Sequence, residues 1–566
     1  MVDSIYSKLS KERKQLQEMQ LVPEWMTTGG YQLFKDKYDT PDNEGSVYGA
    51  YVRIARAASQ HMENKELWEK KFFNILWKGW LSCSTPVLAN MGTDRGLPVS
   101  CSGNYIEDSI DGFYSSLKET AILTKHGFGT SSYLGDIRPR GSVISSGGYT
   151  SGTLPVIRAF VQASRDVSQG ATRRGAWAGY LPILHEDFWE LVTYAESNPD
   201  DLNIGWIISD EFISMLDSGD TEAITRYQRA LRLKMVTGKG YFFFSDKANR
   251  HRPECYKERN LDVKASNLCS EIMLHSDIDH TFTCVLSSLN LAYYDDWKST
   301  DAVFVATVFL DCVAQEFIEK GSRILGLDKA VRFTEKSRAL GLGVCAFHTL
   351  LQKKMISFES FEAHQLNNEI FKFIRDEAVA ASTFLEAIYG EAEWTRGTGR
   401  RNSHLLAIAP TKSTALIMGG VSEGISPDPK MVYTQSSAAG EIERVNPQLL
   451  EIMKKRGVYS RKLLDEISQE NNGSVQYVDW LTDDEKKVFK TAFEIDQRAI
   501  LRLASARTRY VDQGQSLNLF FDADEDEEYI SEIHKEAYLD ENILALYYNY
   551  SEAGVQASKN NCEACQ

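Results

Sequence analysis

From about Leu81 to Phe521 the chain alternates short apolar or β-branched runs with longer stretches of helical periodicity. No other feature restricts the fold as strongly. Tyr241–Phe244, Thr283–Leu286 and Leu405–Ile408 have the length of strands, and segments with apolar residues at helical spacing separate them. Strands alternating with helices build α/β architectures, because the connecting helices cover the apolar faces of the sheet. Residues 1–80 read as a helical N-terminal region with amphipathic segments and aromatic anchors at Phe72, Phe73, Trp77 and Trp80. Residues 81–521 form the α/β body. Residues 522–548 read as a C-terminal helical segment, with a last helix from about Ser531 to Tyr548 that places Ile533, Ala537, Leu544 and Tyr548 on one face. Residues 549–566 are small and polar and read as a mobile tail.

Charge narrows the function. With 79 acidic against 63 basic residues the net charge is −16, which argues against a polynucleotide partner, since duplex binders carry a basic face. Small nucleotides remain open, because they need only a few local donors. No stretch approaches the roughly 18 apolar residues of a membrane span, and Met1–Gln20 lacks the apolar core of a secretory signal. The expectation is a soluble cytoplasmic protein with no membrane contact. Nine cysteines, an odd number in a long chain without an export signal, argue for thiols over a disulfide framework.

Two cysteine groups stand out. Cys562-Glu-Ala-Cys565 ends the chain, and thiols at this spacing can exchange with other disulfides. Half of a zinc site is the competing reading, but no second Cys or His pair lies nearby to complete four ligands. Upstream, Asn267, Cys269 and Glu271 alternate, so on an extended segment an amide, a thiol and a carboxylate share one face. Cys284 follows fifteen residues after Cys269. On residue type alone, Cys269 and Cys284 read first as small buried hydrophobes.

Further along, Asp108 and Ser109 can cap a helix with Ile110, Phe113, Leu117 and Ala121 at helical spacing, ending near Gly127. Pro410-Thr-Lys-Ser-Thr414 offers hydroxyls and backbone donors at a helix start, suited to a diphosphate or to an ordinary cap.

Taken together, these motifs resemble the ribonucleotide reductases. Asn267-Leu-Cys-Ser-Glu271 resembles the family's active-site loop and Leu286-Ser-Ser-Leu-Asn290 the strand after it. Gly399-Arg-Arg-Asn402 and Ala409-Pro-Thr-Lys-Ser-Thr414 resemble its phosphate-binding segment. Ser84-Thr-Pro86 and Ser100-Cys101 resemble the start of its substrate pocket. Leu546-Tyr-Tyr-Asn549 and the terminal dithiol resemble the end of class I catalytic subunits.

The resemblance implies a ten-stranded α/β barrel with Cys269 on a central loop. It implies Cys269 as the thiyl radical site, Glu271 as general base, Asn267 as its hydrogen-bonding companion, and Cys101 with Cys284 as the reducing pair, re-reduced by Cys562 and Cys565. It implies Tyr547 and Tyr548 as the inner and outer members of a radical relay, and Thr85, Ser100, Pro410, Thr411, Lys412, Ser413 and Thr414 as substrate contacts. Asp108, Ser109, Ile110, Arg138 and Ile144 fall at the effector site, and Gln169 and Arg173 in the loop that relays effector identity. No metal is expected in this chain. The radical cofactor, a dinuclear metal, would sit in a separate small subunit. Ribonucleoside diphosphates, ATP and dNTP effectors, thioredoxin or glutaredoxin, and a second copy of the chain are the other implied partners. An N-terminal ATP-cone is not expected. A cobalamin-dependent class II enzyme is the alternative, disfavoured by the tyrosine pair.

Overall fold

The computed structural model describes residues 5–99, 101–167, 175–437 and 440–551. Four helices, Ile5–Glu18, Thr28–Lys37, Val47–Ser59 and Lys65–Trp77, make up the N-terminal region. Three of them begin at side-chain caps: Thr27 accepts from the amide of Gly30, Ser46 from Gly49 and Asn64 from Leu67. Each such cap satisfies a backbone donor that the first helical turn leaves without a partner. Phe72 is fully buried and meets Phe309 edge-on at 5.4 Å, while Phe73 stacks on Trp77 at 5.7 Å. Of the expected aromatic anchors Phe72 joins this region to the body, while Phe73 and Trp77 pack on each other within one helix.

The body is built on one curled sheet. Its strands are β1 (Leu81–Cys83), β2 (Cys101–Tyr105), β3 (Gly129–Tyr133), β4 (Trp177–Pro182), β5 (Asn203–Ile208), β6 (Tyr241–Phe244), β7 (Phe282–Asn290) and β8 (Leu340–Cys345). β2 to β6 run parallel in sequence order, the arrangement that helical crossovers produce. β7 turns the sheet over. It pairs antiparallel with β2 and with β1, and parallel with β8 on its other edge.

Single bridges from Leu342 to Leu406 and from Ile408 to Gln515 carry the sheet beyond β8. The run Leu405–Ile408 thus joins the sheet by bridges and not as a regular strand. Among the described residues nine strands form this sheet in all, including a two-residue strand introduced below. The two bridged segments extend it toward the expected barrel. Helix Ala302–Gly321 is buried along nearly its whole length. Its Asp311 sits inside a knot formed by Arg338, Arg401 and Asn402.

A smaller hydrophobic cluster around Met431, Leu449, Met453 and Phe489 lies under the hairpin of β9 (Val432–Ser437) and β10 (Gly440–Val445). The C-terminal segment departs from expectation. Its helix spans Glu527–Leu539 only, after β11 (Leu519–Phe521). β12 (Ala545–Leu546) then pairs with β6, and β13 (Asn549–Ser551) pairs with β11. Tyr547 and Tyr548 therefore lie on extended chain between two short strands and not on a helix. Apolar spacing over 531–548 mimicked a helix, but edge pairing of β6 and β11 claims the last residues.

Candidate active site

Antiparallel pairing of β2 and β7 places Cys101 directly opposite Cys284. Residues so placed have Cα atoms about 4.5–5.5 Å apart, inside the roughly 4.4–6.8 Å range that a disulfide spans. The pair can close and reopen without moving either strand. Both thiols are buried and reduced.

Cys269 is carried on a loop that is not extended, so alternation is not what gathers its neighbours. The chain turns at Leu268–Ser270, and Ser270 takes a left-handed φ of 66°. Asn267 Oδ1 accepts from the amides of Glu271 and Ile272, both at 3.1 Å, and so holds the turn. The Tyr180 hydroxyl donates to the Asn267 carbonyl at 2.6 Å. Ser516 Oγ donates to the Cys269 carbonyl at 2.6 Å and lies 3.2 Å from Glu271 Oε2. Gly514 donates its amide to the Glu271 carbonyl at 2.8 Å.

Two buried polar atoms in this otherwise satisfied loop have no partner, Asn267 Nδ2 and Glu271 Oε1. Unpaired polar atoms are costly in an interior, and of these two residues Glu271 borders a cavity. The cavity is narrow, with a volume of about 20 Å3. Cys101, Cys269, Glu271, Thr411, Thr414 and Ser84 are among the residues that line it.

Burial, followed by the nearby Cys101 and Glu271, pushes the Cys269 thiol far above its ordinary range. Burial does the same to Cys284. These sulfurs therefore stay protonated near neutral pH, which suits hydrogen-atom transfer better than thiolate chemistry. Burial, reinforced by Cys101 and opposed by Asn267 and Ser516, pushes the Glu271 carboxyl up to about 8. A base poised near the working pH is the usual requirement of proton transfer.

Tyr547 is buried in the same packed cluster as Cys269, and its hydroxyl lies within hydrogen-bonding reach of that sulfur. The Tyr547 and Tyr548 rings are 4.3 Å apart at 65°. The amide of Tyr547 donates to the Leu517 carbonyl at 2.8 Å, and the buried Lys234 ammonium donates to the Tyr547 carbonyl.

Of the expected phosphate segment, Thr411 and Thr414 reach the cavity, while Lys412 is exposed and Pro410 and Ser413 are half-buried. Arg401 and Asn402, in the preceding motif, are instead committed to Asp311. Thr85 is buried against the Tyr38 hydroxyl at 3.0 Å, and the adjacent Ser84 lines the cavity with an unpaired Oγ.

At the expected effector site, Ser109 caps helix Ile110–Lys125, which ends at His126, close to where its sequence pattern stops. Arg138 Nε donates to Asp108 at 2.5 Å and Arg138 Nη1 to the Val143 carbonyl at 3.3 Å, and Ile144 pairs with Gly148 in the adjoining turn. Ile110, Tyr114, Val143 and Tyr149 expose apolar side chains around it, Ile110 at 72%. Ser100, Gln169, Arg173, Cys562 and Cys565 lie outside the described residues.

Sequence reasoning missed Ser82, Leu286, Ser287, Ser288 and Ala409 as cavity lining, although the motifs it singled out contain most of them. Ser516, Gly514, Tyr180 and Lys234 had no local signal, because they reach the site only through the fold.

A ribonucleotide reductase barrel-domain profile matches residues 99–227, 221–396 and 391–548, and an all-alpha-domain profile of the same family matches residues 25–96. A protein of Frog virus 3 assigned as a ribonucleoside-diphosphate reductase large subunit is 34% identical, over 92% of this chain and 95% of its own length. The ribonucleoside-diphosphate reductase large subunit of Invertebrate iridescent virus 3 is 30% identical, over 92% of each chain. In three dimensions the chain resembles the class Id ribonucleotide reductase alpha subunit of Actinobacillus ureae, with a TM-score of 0.85 and 37% identity over 94% of this chain and 98% of that one.

Proposed function

The chain belongs to the ribonucleotide reductase family as a large subunit of the ribonucleoside-diphosphate reductases, and from that premise we propose how its own residues divide the reaction. Class I large subunits act with a separate small subunit that carries the radical cofactor. Among the described residues no helix is long and apolar enough to cross a membrane.

Cys269, oxidised to a thiyl, takes the hydrogen from C3′ of the ribose while Glu271 accepts the 3′-hydroxyl proton. The 2′-hydroxyl then leaves as water. Cys101 and Cys284 supply two protons and two electrons and end as a disulfide, and Cys269 returns its hydrogen to C3′, regenerating the thiyl. Cys562 and Cys565 reduce the new disulfide by exchange and are themselves recharged by thioredoxin or glutaredoxin. Tyr548 and Tyr547 pass the oxidising equivalent inward from the small subunit, whose cofactor is a dinuclear metal. Thr411 and Thr414 hold the diphosphate, with the backbone at Pro410–Ser413. Asp108, Ser109, Ile110, Arg138 and Ile144 bind ATP or dNTP effectors, and Gln169 and Arg173 carry that signal to the substrate base. The exposed apolar residues beside that helix are buried in a homodimer.

The observation that carries the reading is a single cavity lined by Cys101, Cys269 and Glu271, with Cys284 directly across from Cys101. The test is reduction of cytidine diphosphate with dithiothreitol, with and without small subunits. Cys269→Ser abolishes product under every condition. Cys562→Ser keeps turnover driven by dithiothreitol and loses turnover driven by thioredoxin; equal loss under both reductants removes the tail from the scheme. Turnover with adenosylcobalamin and no second subunit would make the enzyme class II.

A further inference from the structure

The segment between the Cys269 loop and β7 carries a cluster that the reaction does not use. His275, Asp277 and His280 begin four residues after Glu271 and end four residues before Cys284. Asp277 stands between the two rings. His275 Nε2 is 2.9 Å from its Oδ2, and His280 Nδ1 is 2.8 Å from its Oδ1. One donor atom from each of the three residues falls within 4.8 Å of the others. Trp394 walls the cluster, its ring 5.9 Å from that of His275 and 5.1 Å from that of His280. His275 is buried, whereas Asp277 is half-buried and open to an ion arriving from solvent.

The contacts of His275 do not close with one ring proton. Its Nδ1 donates to the Asp262 carbonyl at 2.8 Å, so that nitrogen carries the hydrogen. A neutral imidazole then presents a lone pair at Nε2, and here it meets a carboxylate oxygen, which when ionised can only accept. A positive charge belongs between them, either a second proton on the ring or a cation. Donation from the far nitrogen to a carbonyl is the contact that metal-ligating histidines use, since it fixes the tautomer and aims the other nitrogen at the ion. His280 can offer its Nδ1 in the same way. Its Nε2 is buried with no hydrogen-bond partner, so no second contact dictates which nitrogen holds the proton. The Asp279 amide donates to Asp277 Oδ1 at 2.8 Å and steadies the carboxylate. Ligand bonds of about 2.0–2.2 Å set neighbouring donor atoms about 3.0–3.4 Å apart. The contacts at 2.8 and 2.9 Å need little widening to admit an ion. Two imidazoles with one carboxylate suit zinc and its first-row neighbours, whereas magnesium and calcium take all-oxygen sets.

We propose that His275, Asp277 and His280 bind one divalent first-row transition-metal ion, zinc fitting the donor set best, with a fourth position left to solvent. The ion is separate from the radical cofactor and takes no part in the ribose chemistry. It fastens the turn that links the loop of Cys269 and Glu271 to the strand of Cys284.

The test uses the full chain carrying Cys562→Ser and Cys565→Ser, so that the tail thiols cannot hold the metal. The protein is stripped with a chelator and titrated with Zn²⁺ against a chromophoric competitor, and with Co²⁺ for its absorption spectrum. One bound equivalent of Zn²⁺, and a Co²⁺ spectrum of nitrogen and oxygen ligation without sulfur charge transfer, are the expected results. His280→Gln and Asp277→Asn, each in the same background, are expected to weaken Zn²⁺ by at least about 100-fold, the upper range for loss of a partner behind a metal ligand. Zn²⁺ should also raise the melting temperature of the parent and not of the variants, because a ligand held only by the folded state stabilises it. No bound equivalent, or one that survives both substitutions, overturns the proposal and leaves His275 as an imidazolium paired with Asp277. Sulfur ligation in the Co²⁺ spectrum overturns it as well. Should either variant fold poorly, the ligand atoms reported by Co²⁺ in the parent decide.

Discussion

Glu271 shows how one environment serves function against stability. Its carboxyl is pushed up to about 8 by burial and by Cys101. As the base must be ionised to accept a proton, kcat/KM should rise with pH through that value and fall below it. Glu271→Gln should flatten this limb and lower kcat by about 10²–10⁴-fold, measured as pH–rate profiles of both proteins. The stability sign is opposite. A folded pKa above the unfolded one means that the group's contribution is fully present below about 4.5 and is lost as pH rises through about 8. Glu271→Gln should therefore melt at a higher temperature than the parent at pH 8–9, by at most ~5 kcal/mol of stability. Equal melting temperatures at that pH would show that the carboxyl titrates normally.

At the scale of elements, the helix Ala302–Gly321 is tied to the sheet through Asp311. Its carboxylate meets Arg338 Nη2 at 2.8 Å, Arg401 Nε at 3.0 Å and Asn402 Nδ2 at 2.8 Å, all well buried. Burial works against ionisation, but the two guanidinium groups and Asn402 hold the carboxyl down to about 2. Asp311→Ala leaves two guanidiniums facing one another, and should destabilise the chain by about 3–5 kcal/mol in denaturant melts. The contribution of Asp311 is present above the ordinary carboxyl range and is lost as pH falls through about 2. The pairing of β2 with β7 predicts a second outcome. Oxidation of the chain should join Cys101 to Cys284 specifically, seen as one linked peptide after proteolysis, and Cys101→Ser should eliminate it. Linkage of Cys269 to either one under the same conditions would contradict the division of labour among the three.

For the whole molecule, the unburied apolar residues Ile110, Tyr114, Val143 and Tyr149 lie along one helix and the turn beside it. Tyr114→Glu should leave the chain monomeric in the presence of effector nucleotides while circular dichroism stays unchanged, as read by sedimentation. A dimer that survives this substitution would move the interface elsewhere. Because Ser109 and Arg138 are built into the same corner, loss of the dimer should also weaken effector binding.

The α/β class, the capped helix at Ser109 and the strand Tyr241–Phe244 were legible in the sequence. Each depends on periodicity or on residue type over a few neighbouring positions. Tertiary structure alone decided that Asn267, Cys269 and Glu271 meet through a turn, because a left-handed Ser270 and the amides held by Asn267 are not visible in an alternating pattern. It also decided that Tyr547 and Tyr548 lie on extended chain, that Arg401 and Asn402 serve Asp311, and that Ser516 and Lys234 stand at the site. Those outcomes come from contacts between residues far apart in sequence, where pairing partners and desolvation, and not local preference, set the free energy.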